Sequence, residues 1–169
     1  EFDPAPALET LMLHFCGEVR LTQWYRRASE WHTEPVIKQI YDTLSRDEAR
    51  HGGAYLKYMK RAIDRFGVAA RQAFSKIGVL MVSGGKAGKP LHPTNLHVNQ
   101  ALFPNDTVQS RLPDPAWLER WLDQQIQFTR EWEEKVMGGI LRNLSSLFGQ
   151  EFKSVTELNR YRKSLASAA

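Results

Sequence analysis

The segment from residue 37 to residue 66 carries the strongest structural signal in the chain. Counting by threes and fours, one row of positions is almost entirely apolar or aromatic, as on the buried face of a helix in a bundle. The members of this row are Ile37, Tyr41, Leu44, Glu48, His51, Tyr55, Tyr58, Ala62 and Phe66. Glu48 and His51 place ionisable groups in the row. Because burial of an unpaired carboxylate is costly, Glu48 needs a partner.

An earlier segment repeats the pattern with a single carboxylate, Glu18. The same count gives the row Leu8, Leu11, Phe15, Glu18, Thr22 and Tyr25. Two helices therefore each direct a carboxylate into the seam that they would share. A cation of charge two or three would neutralise both carboxylates and accept an imidazole nitrogen as well. Since residues at i and i+3 share a helix face, Glu48 and His51 can reach the same metal ion.

The same residues also fit a structural interpretation. Glu18 or Glu48 could form a buried ion pair with an arginine, and His51 could be a hydrogen-bonded core histidine, because perturbed ionisable groups in cores are often structural. The two rows alone leave the metal site and the ion pair as equal alternatives.

Helix signals dominate the whole chain, and strand signals are almost absent. We predict helices over 7–29, from Thr33-Glu34-Pro35 to Phe66, over 68–82, from Asp114-Pro115 to Phe148, and a short last helix opened by the capping sequence Ser154-Val155-Thr156-Glu157. Thr33 is the expected N-terminal cap of the second helix, and Gly67 its stop. Residues 84–113 are predicted to form a long irregular connection. We therefore expect an all-α bundle in a single domain over residues 1–169.

Composition narrows the class of protein. The chain has 169 residues, of which 42% are hydrophobic and 25% charged, as in a folded domain. No apolar run approaches the roughly 20 residues that span a bilayer, and no signal peptide is visible. Cys16 is the only cysteine, which excludes an intrachain disulfide and fits a cytoplasmic protein. The net charge of +4 lies in short clusters, which favours solvated helix faces over a nucleic-acid surface.

The sequence Asp47-Glu48-Ala49-Arg50-His51, followed by Ala54-Tyr55, resembles the second metal-binding helix of soluble acyl-carrier-protein (stearoyl-type) fatty acid desaturases. That family belongs to the ferritin-like di-iron carboxylate superfamily. Gly17-Glu18 is similar to its preceding glutamate helix, and the resemblance covers residues 8–66. It implies the C-terminal part of a ferritin-like bundle, with Glu18, Glu48 and His51 as iron ligands.

The resemblance also implies residues that support the ligands. Asp47 matches an aspartate that orients a ligand histidine from the other helix pair. Thr22 lies one place beyond the position of a threonine that faces oxygen in the family, where this chain has Leu21. His14 lies one turn before Glu18 and is a candidate extra ligand, although such a histidine is more often a surface or supporting residue.

The activity that the resemblance implies is an oxygen-dependent oxidation of an acyl chain at a di-iron centre. An acyl carrier protein would present the chain, and a reductase partner such as ferredoxin would supply electrons. Two alternatives stay open: another di-iron oxidase or oxygenase, and a metal-free helical interaction module.

The chain holds half of the ligand set that such a centre needs. A complete set takes a glutamate from each of two helices and a Glu-x-x-His pair from each of two others. No other histidine of this chain follows a glutamate by three residues. We therefore expect one of two arrangements. Either the chain lacks the first helix pair and its di-iron centre is incomplete or absent, or a homodimer supplies the missing half.

Overall fold

The computed structural model describes residues 3–83 and 134–167. These residues form the helices α1 (Ala5–Trp31), α2 (Pro35–Phe66), α3 (Val68–Val82), α4 (134–148) and α5 (Val155–Ser167). No strand occurs in the two ranges, and the predicted all-α helical bundle is confirmed. The predicted irregular connection over 84–113 and the predicted helix start at Asp114-Pro115 lie outside the described residues.

Proline and glycine set the limits of α2. Pro35 occupies the first turn, where its missing N–H costs nothing, and the Glu34 carboxylate accepts a hydrogen bond from the Ile37 N–H at 2.8 Å. The prediction of Thr33 as the cap is therefore wrong, because the longer Glu34 side chain does the capping from the position directly before the proline. Gly67 ends α2 at φ +53°, as predicted, and α3 begins at the next residue.

Small side chains let α1 and α2 approach closely. The buried residues of α2 are Ser45, Gly52 and Met59, which recur every seven residues. A Cβ placed on Gly52 would lie 3.6 Å from the Glu18 Cβ, so the two backbones are near neighbours at that point. The row counted from Ile37 therefore lies at the edge of the contact between α1 and α2, and not at its centre. The prediction that this row is buried is wrong.

Two side-chain hydrogen bonds join the same helix pair. The Ser45 hydroxyl donates to the Thr22 carbonyl at 3.0 Å, and the Ser29 hydroxyl donates to the Asp42 carboxylate at 2.6 Å. Both hydroxyl groups are buried away from water, so without these partners they would form no hydrogen bond. The hydrogen bonds therefore oppose sliding of α2 along α1.

The main hydrophobic core lies between α1, α3, α4 and α5. Its fully buried large side chains are Met12, Phe15, Phe74, Ile140, Leu144 and Leu158, and α2 adds Met59. On α2, in contrast, Val36, Ile37, Ile40 and Tyr58 are exposed. The bundle thus buries α1 on two sides and leaves α2 with an uncovered face.

Polar contacts fix α5 against this core. The Arg71 guanidinium donates to the Phe148 carbonyl and to the Tyr161 hydroxyl, each at 3.1 Å. At the start of α5, the Glu157 N–H donates to the Ser154 hydroxyl at 3.3 Å, and the Glu157 carboxylate accepts from the Lys153 N–H at 2.7 Å. The predicted capping sequence is thereby confirmed.

None of the helices in the two described ranges combines the length and the hydropathy needed to cross a membrane.

We expect Gly78→Ala to lower the free energy of unfolding by about 1–2 kcal/mol. A Cβ at Gly78 would lie 2.7 Å from a Leu144 methyl and 3.3 Å from one of Leu158, in a core without spare volume. Overpacking of about 1–3 kcal/mol outweighs the gain of up to about 1 kcal/mol from replacing a helical glycine. Gly53→Ala is the matched control, since nothing lies within 4 Å of that Cβ position, and it should gain about 0.5–1 kcal/mol. Urea titration measures both, and equal stability of the two variants would contradict this packing.

The thiol of Cys16 should be unreactive in the folded chain. Its side chain is fully buried, and burial raises its pKa to about 12 against the smaller opposing effect of the Arg20 charge. Because the thiolate is the nucleophile, alkylation at pH 8 should be slower by a factor of about 1,000 than for an exposed thiol. Mass spectrometry after iodoacetamide treatment tests this, with urea-unfolded chain as the control that reacts. Labelling at the same rate in both samples would show that the Cys16 side of α1 is not buried.

Candidate metal centre

Three predicted ligands meet between α1 and α2. Glu18, Glu48 and His51 each offer one ligand atom, and these atoms lie within 4.8 Å of one another. Atoms bound to one first-row metal ion at about 2.0–2.2 Å are at most about 4.4 Å apart. Small side-chain rotations would therefore bring all three atoms onto a single ion. The predicted convergence of the three side chains is confirmed.

The two carboxylates are sheltered and the imidazole is not. His51 Nδ1 lies 2.9 Å from Glu48 Oε2, one turn away, and 3.8 Å from Glu18 Oε2 on the other helix. The side chains of Glu18 and Glu48 are 15% and 16% exposed, whereas that of His51 is 61% exposed. The prediction of a buried His51 is wrong, because α2 turns its Ser45–Gly52–Met59 side to α1 and leaves His51 at the mouth of the site.

Burial and the interaction between the two carboxyl groups give them different pKa values. Burial raises the pKa of Glu18 to about 7, helped by a hydrogen bond to Glu48 and by the charge of Glu48, and opposed by His51. The pKa of Glu48 is lowered, first by the hydrogen bond from Glu18 and then by His51, against the effect of its own burial. The pair thus holds one proton, on Glu18, up to a pH of about 7.

One oxygen of the site has no donor. Glu18 Oε2 is buried, and no hydrogen-bond donor among the described residues reaches it. Buried carboxylate oxygens are normally satisfied, since desolvation without a partner is unfavourable. Either a proton or a cation would satisfy this oxygen. The two would therefore compete for the same position.

Aromatic rings flank the carboxylates. Burial raises the pKa of Tyr25, and the negative charges of Glu48, Tyr41 and Glu18 add to the effect. The Tyr25 and Tyr41 rings lie 6.0 Å apart by their centroids. Sequence reasoning placed Tyr25 only on the apolar row; its proximity to the carboxylates follows from the helix pairing.

The other predicted residues take different positions. The His14 ring stacks on Tyr55 at 5.8 Å between centroids, and His14 is not a member of the three-residue group. Asp47 forms an ion pair with Arg50, one turn further along α2. Thr22 contributes its carbonyl to the hydrogen bond from Ser45. Asp47 and Thr22 as supporting residues of a metal centre stay predictions.

The structure bears on the ion-pair alternative as well. In the part of the chain that the structure describes, the ionic partner of Glu18 and Glu48 is His51 and not an arginine. Sequence reasoning missed Ser45 and Gly52, which set the distance between the helices. The signal that could have found them is the spacing of small residues by seven along α2, since small side chains mark the closest approach of two helices.

The chain was compared with protein-family models, with curated proteins and with solved structures, and none of them matches it. The desaturase resemblance therefore rests on the residues of the motif, and the function that it implies is a proposal.

We expect Glu18→Gln to flatten the pH dependence of stability of the metal-free chain. The pKa of Glu18 is raised from 4.5 to about 7 in the folded state, so its contribution is fully present below pH 4.5 and is lost as the pH rises to about 7. The lowered pKa of Glu48 acts in the opposite direction, but only below its ordinary value of 4.5. Urea titrations between pH 5 and pH 8 should show a decline in the wild-type chain that the variant lacks. Parallel curves for the two proteins would contradict the assignment.

Proposed function

We propose that this chain forms half of the di-iron centre of a ferritin-like oxidoreductase, related to acyl-carrier-protein desaturases, that oxidises an acyl chain with oxygen. The observation that carries the proposal is the convergence of Glu18, Glu48 and His51 from two helices. The likeness of the Asp47–His51 segment to a desaturase helix supplies the reaction class.

The donor set fits iron. Two carboxylates and one imidazole provide hard oxygen ligands and a nitrogen ligand, a combination that suits Fe²⁺, Mn²⁺ and Zn²⁺ better than thiophilic metals. The donor-free Glu18 Oε2 and the carboxylate repulsion both favour a cation. When bound, a pair of iron ions supplies the electrons that activate oxygen. Since a cation displaces the proton on Glu18, its affinity should increase as the pH rises towards neutrality.

The protein groups would act by position. Glu18 and Glu48 would hold and neutralise the ions, and the Nδ1 atom of His51 would add a nitrogen ligand. The stacked rings of His14 and Tyr55 lie about one helical turn from the ligands along α1 and α2.

An apolar groove on α2 supports an apolar substrate. It has a volume of about 320 Å³, and it is lined by Val36, Gln39, Ile40, Thr43 and Leu44. Leu44, one of the lining residues, lies one turn before Glu48. An acyl carrier protein and a reductase such as ferredoxin follow from the resemblance, and the net charge of +4 favours acidic partners of this kind. A cytoplasmic location belongs to the same proposal.

The second candidate is a metal-free helical interaction module. The half ligand set and the 61% exposure of His51 favour it, because a metal centre normally encloses its ligands. Iron content of a protein that carries the complete ligand set, compared with that of this chain, separates the two candidates.

Replacement of His51 by alanine should abolish most iron binding and leave the helix content unchanged. Changes to residues that merely support ligands cost about 10–100-fold in metal affinity, so loss of a ligand should cost at least as much. Because the bundle is held by apolar burial, circular dichroism should not change. The measurement is iron per chain after anaerobic equilibration with Fe²⁺.

His14→Ala is the matched control, since His14 lies on the same helix as Glu18 but outside the ligand group. It should retain the wild-type iron content. Equal iron in the His51 and His14 variants would remove His51 from the site.

A further inference from the structure

A strip of basic side chains runs along the solvent side of α2. We call it the basic strip, and its members, all exposed, are Arg46, Arg50, Lys57 and Arg61. Their intervals of four, seven and four residues keep the four side chains on one side of the helix. The buried residues of α2 lie on a different side, so the basic strip takes no part in the packing of the bundle.

An apolar strip lies beside the basic strip. Its members are Val36, Ile40, Ala54 and Tyr58, at intervals of four, fourteen and four residues, which are close to whole numbers of turns. Val36, Ile40 and Tyr58 are 61%, 52% and 56% exposed. The Arg61 guanidinium lies over the Tyr58 ring, 5.9 Å from its centroid, and connects the two strips. The solvent side of α2 is therefore amphipathic.

The fold does not balance the charge of the basic strip. Arg50 pairs with Asp47, but no carboxylate among the described residues forms an ion pair with Lys57, Arg61 or Arg65. These three cations follow one another at intervals of four, which places like charges one turn apart and is unfavourable in a helix. The negative end of the helix offsets only charges in the last turn, where Arg65 lies. An anionic partner would offset the rest.

We propose that these two strips of α2 dock on the surface of a lipid bilayer that contains anionic headgroups. The headgroup phosphates would contact the basic strip, and the apolar strip would enter the boundary between headgroups and acyl chains, as amphipathic helices do. The Tyr58 ring suits this boundary, where tyrosine is enriched. This docking goes beyond the proposed function and does not depend on metal binding.

A bilayer fits the two strips better than an acidic protein does. Val36 and Tyr58 are separated by 22 residues, or about 33 Å along the helix axis, and a flat layer contacts both at once. Protein interfaces are depleted in lysine, whereas helices that lie on membranes are rich in lysine and arginine. Lys57 and Lys60 are both exposed on this part of α2.

Co-sedimentation of the full chain with vesicles tests the proposal. At about 50 mM salt the chain should sediment with vesicles of equal parts phosphatidylglycerol and phosphatidylcholine, and it should stay in solution with phosphatidylcholine alone. A chelator in every sample prevents metal ions from joining the carboxylates of Glu18 and Glu48 to headgroups. The outcome is therefore independent of whether the chain binds iron.

Lys57→Gln combined with Arg61→Gln should weaken binding to the anionic vesicles about 30-fold, since each cation near such a surface contributes about fivefold. Val36→Asp should weaken it about tenfold or more through the loss of apolar burial. The matched control is Arg160→Gln combined with Lys163→Gln. It makes the same change of charge at exposed positions of α5, which bears no exposed large apolar side chain, and should bind like the wild type.

Four results would overturn the proposal. Equal losses in the two double variants would show that the overall charge, and not α2, attracts the vesicles. Equal binding to both kinds of vesicle, or binding to neither, would remove the role of anionic headgroups. Binding to soluble polyglutamate in place of the anionic vesicles would assign the basic strip to an acidic protein.

Discussion

The close approach of α1 and α2 is the constraint on which the site depends. Ser45 and Gly52 are the small buried residues of α2 at this contact, and the Glu18 Cβ lies 3.6 Å from the position that a Cβ on Gly52 would occupy. The hydrogen bond from Ser45 to the Thr22 carbonyl then sets the register. With spacing and register fixed, Glu18 and Glu48 meet, and their repulsion is a consequence of the backbone geometry. The contact of Glu18 with Gly52 thus brings the two carboxylates together.

The apolar core that stabilises the fold and the candidate metal centre lie in different parts of the described structure. The core between α1, α3, α4 and α5 contains most of the fully buried apolar side chains, and α2 adds Met59 and the partly buried residues of its C-terminal half. The unfavourable pair of carboxyl groups is therefore placed on the side of α1 that faces away from most of the core. A fold can tolerate such a pair when burial elsewhere offsets it, and perturbed groups of this kind cluster at functional sites.

The sequence predicted the bounds of the helices more accurately than the rotation of each helix about its axis. The limits of α3 and the stop at Gly67 follow from local signals, because a glycine at positive φ ends a helix whatever surrounds it. Glu18, Glu48 and His51 were found from helical spacing. The exposure of His51 was not, because counting by threes and fours defines a face only to within about half a turn, and the rotation of α2 depends on its contact with α1. The ion pair of Asp47 with Arg50 was missed for the same reason, since motif likeness says nothing about rival partners on the same helix.

The order of the helices along the chain has a kinetic consequence. All three proposed ligands lie within residues 18–51, on two helices joined by a short turn, whereas the described part of α4 covers residues 134–148. Contacts between neighbouring segments form faster than contacts between distant ones, because less chain entropy is lost on closing the loop. The helical hairpin of α1 and α2 can thus assemble during synthesis before the residues that complete the core have left the ribosome. A cation that binds this hairpin would then take part in folding itself, as a nucleus around which the later helices collect.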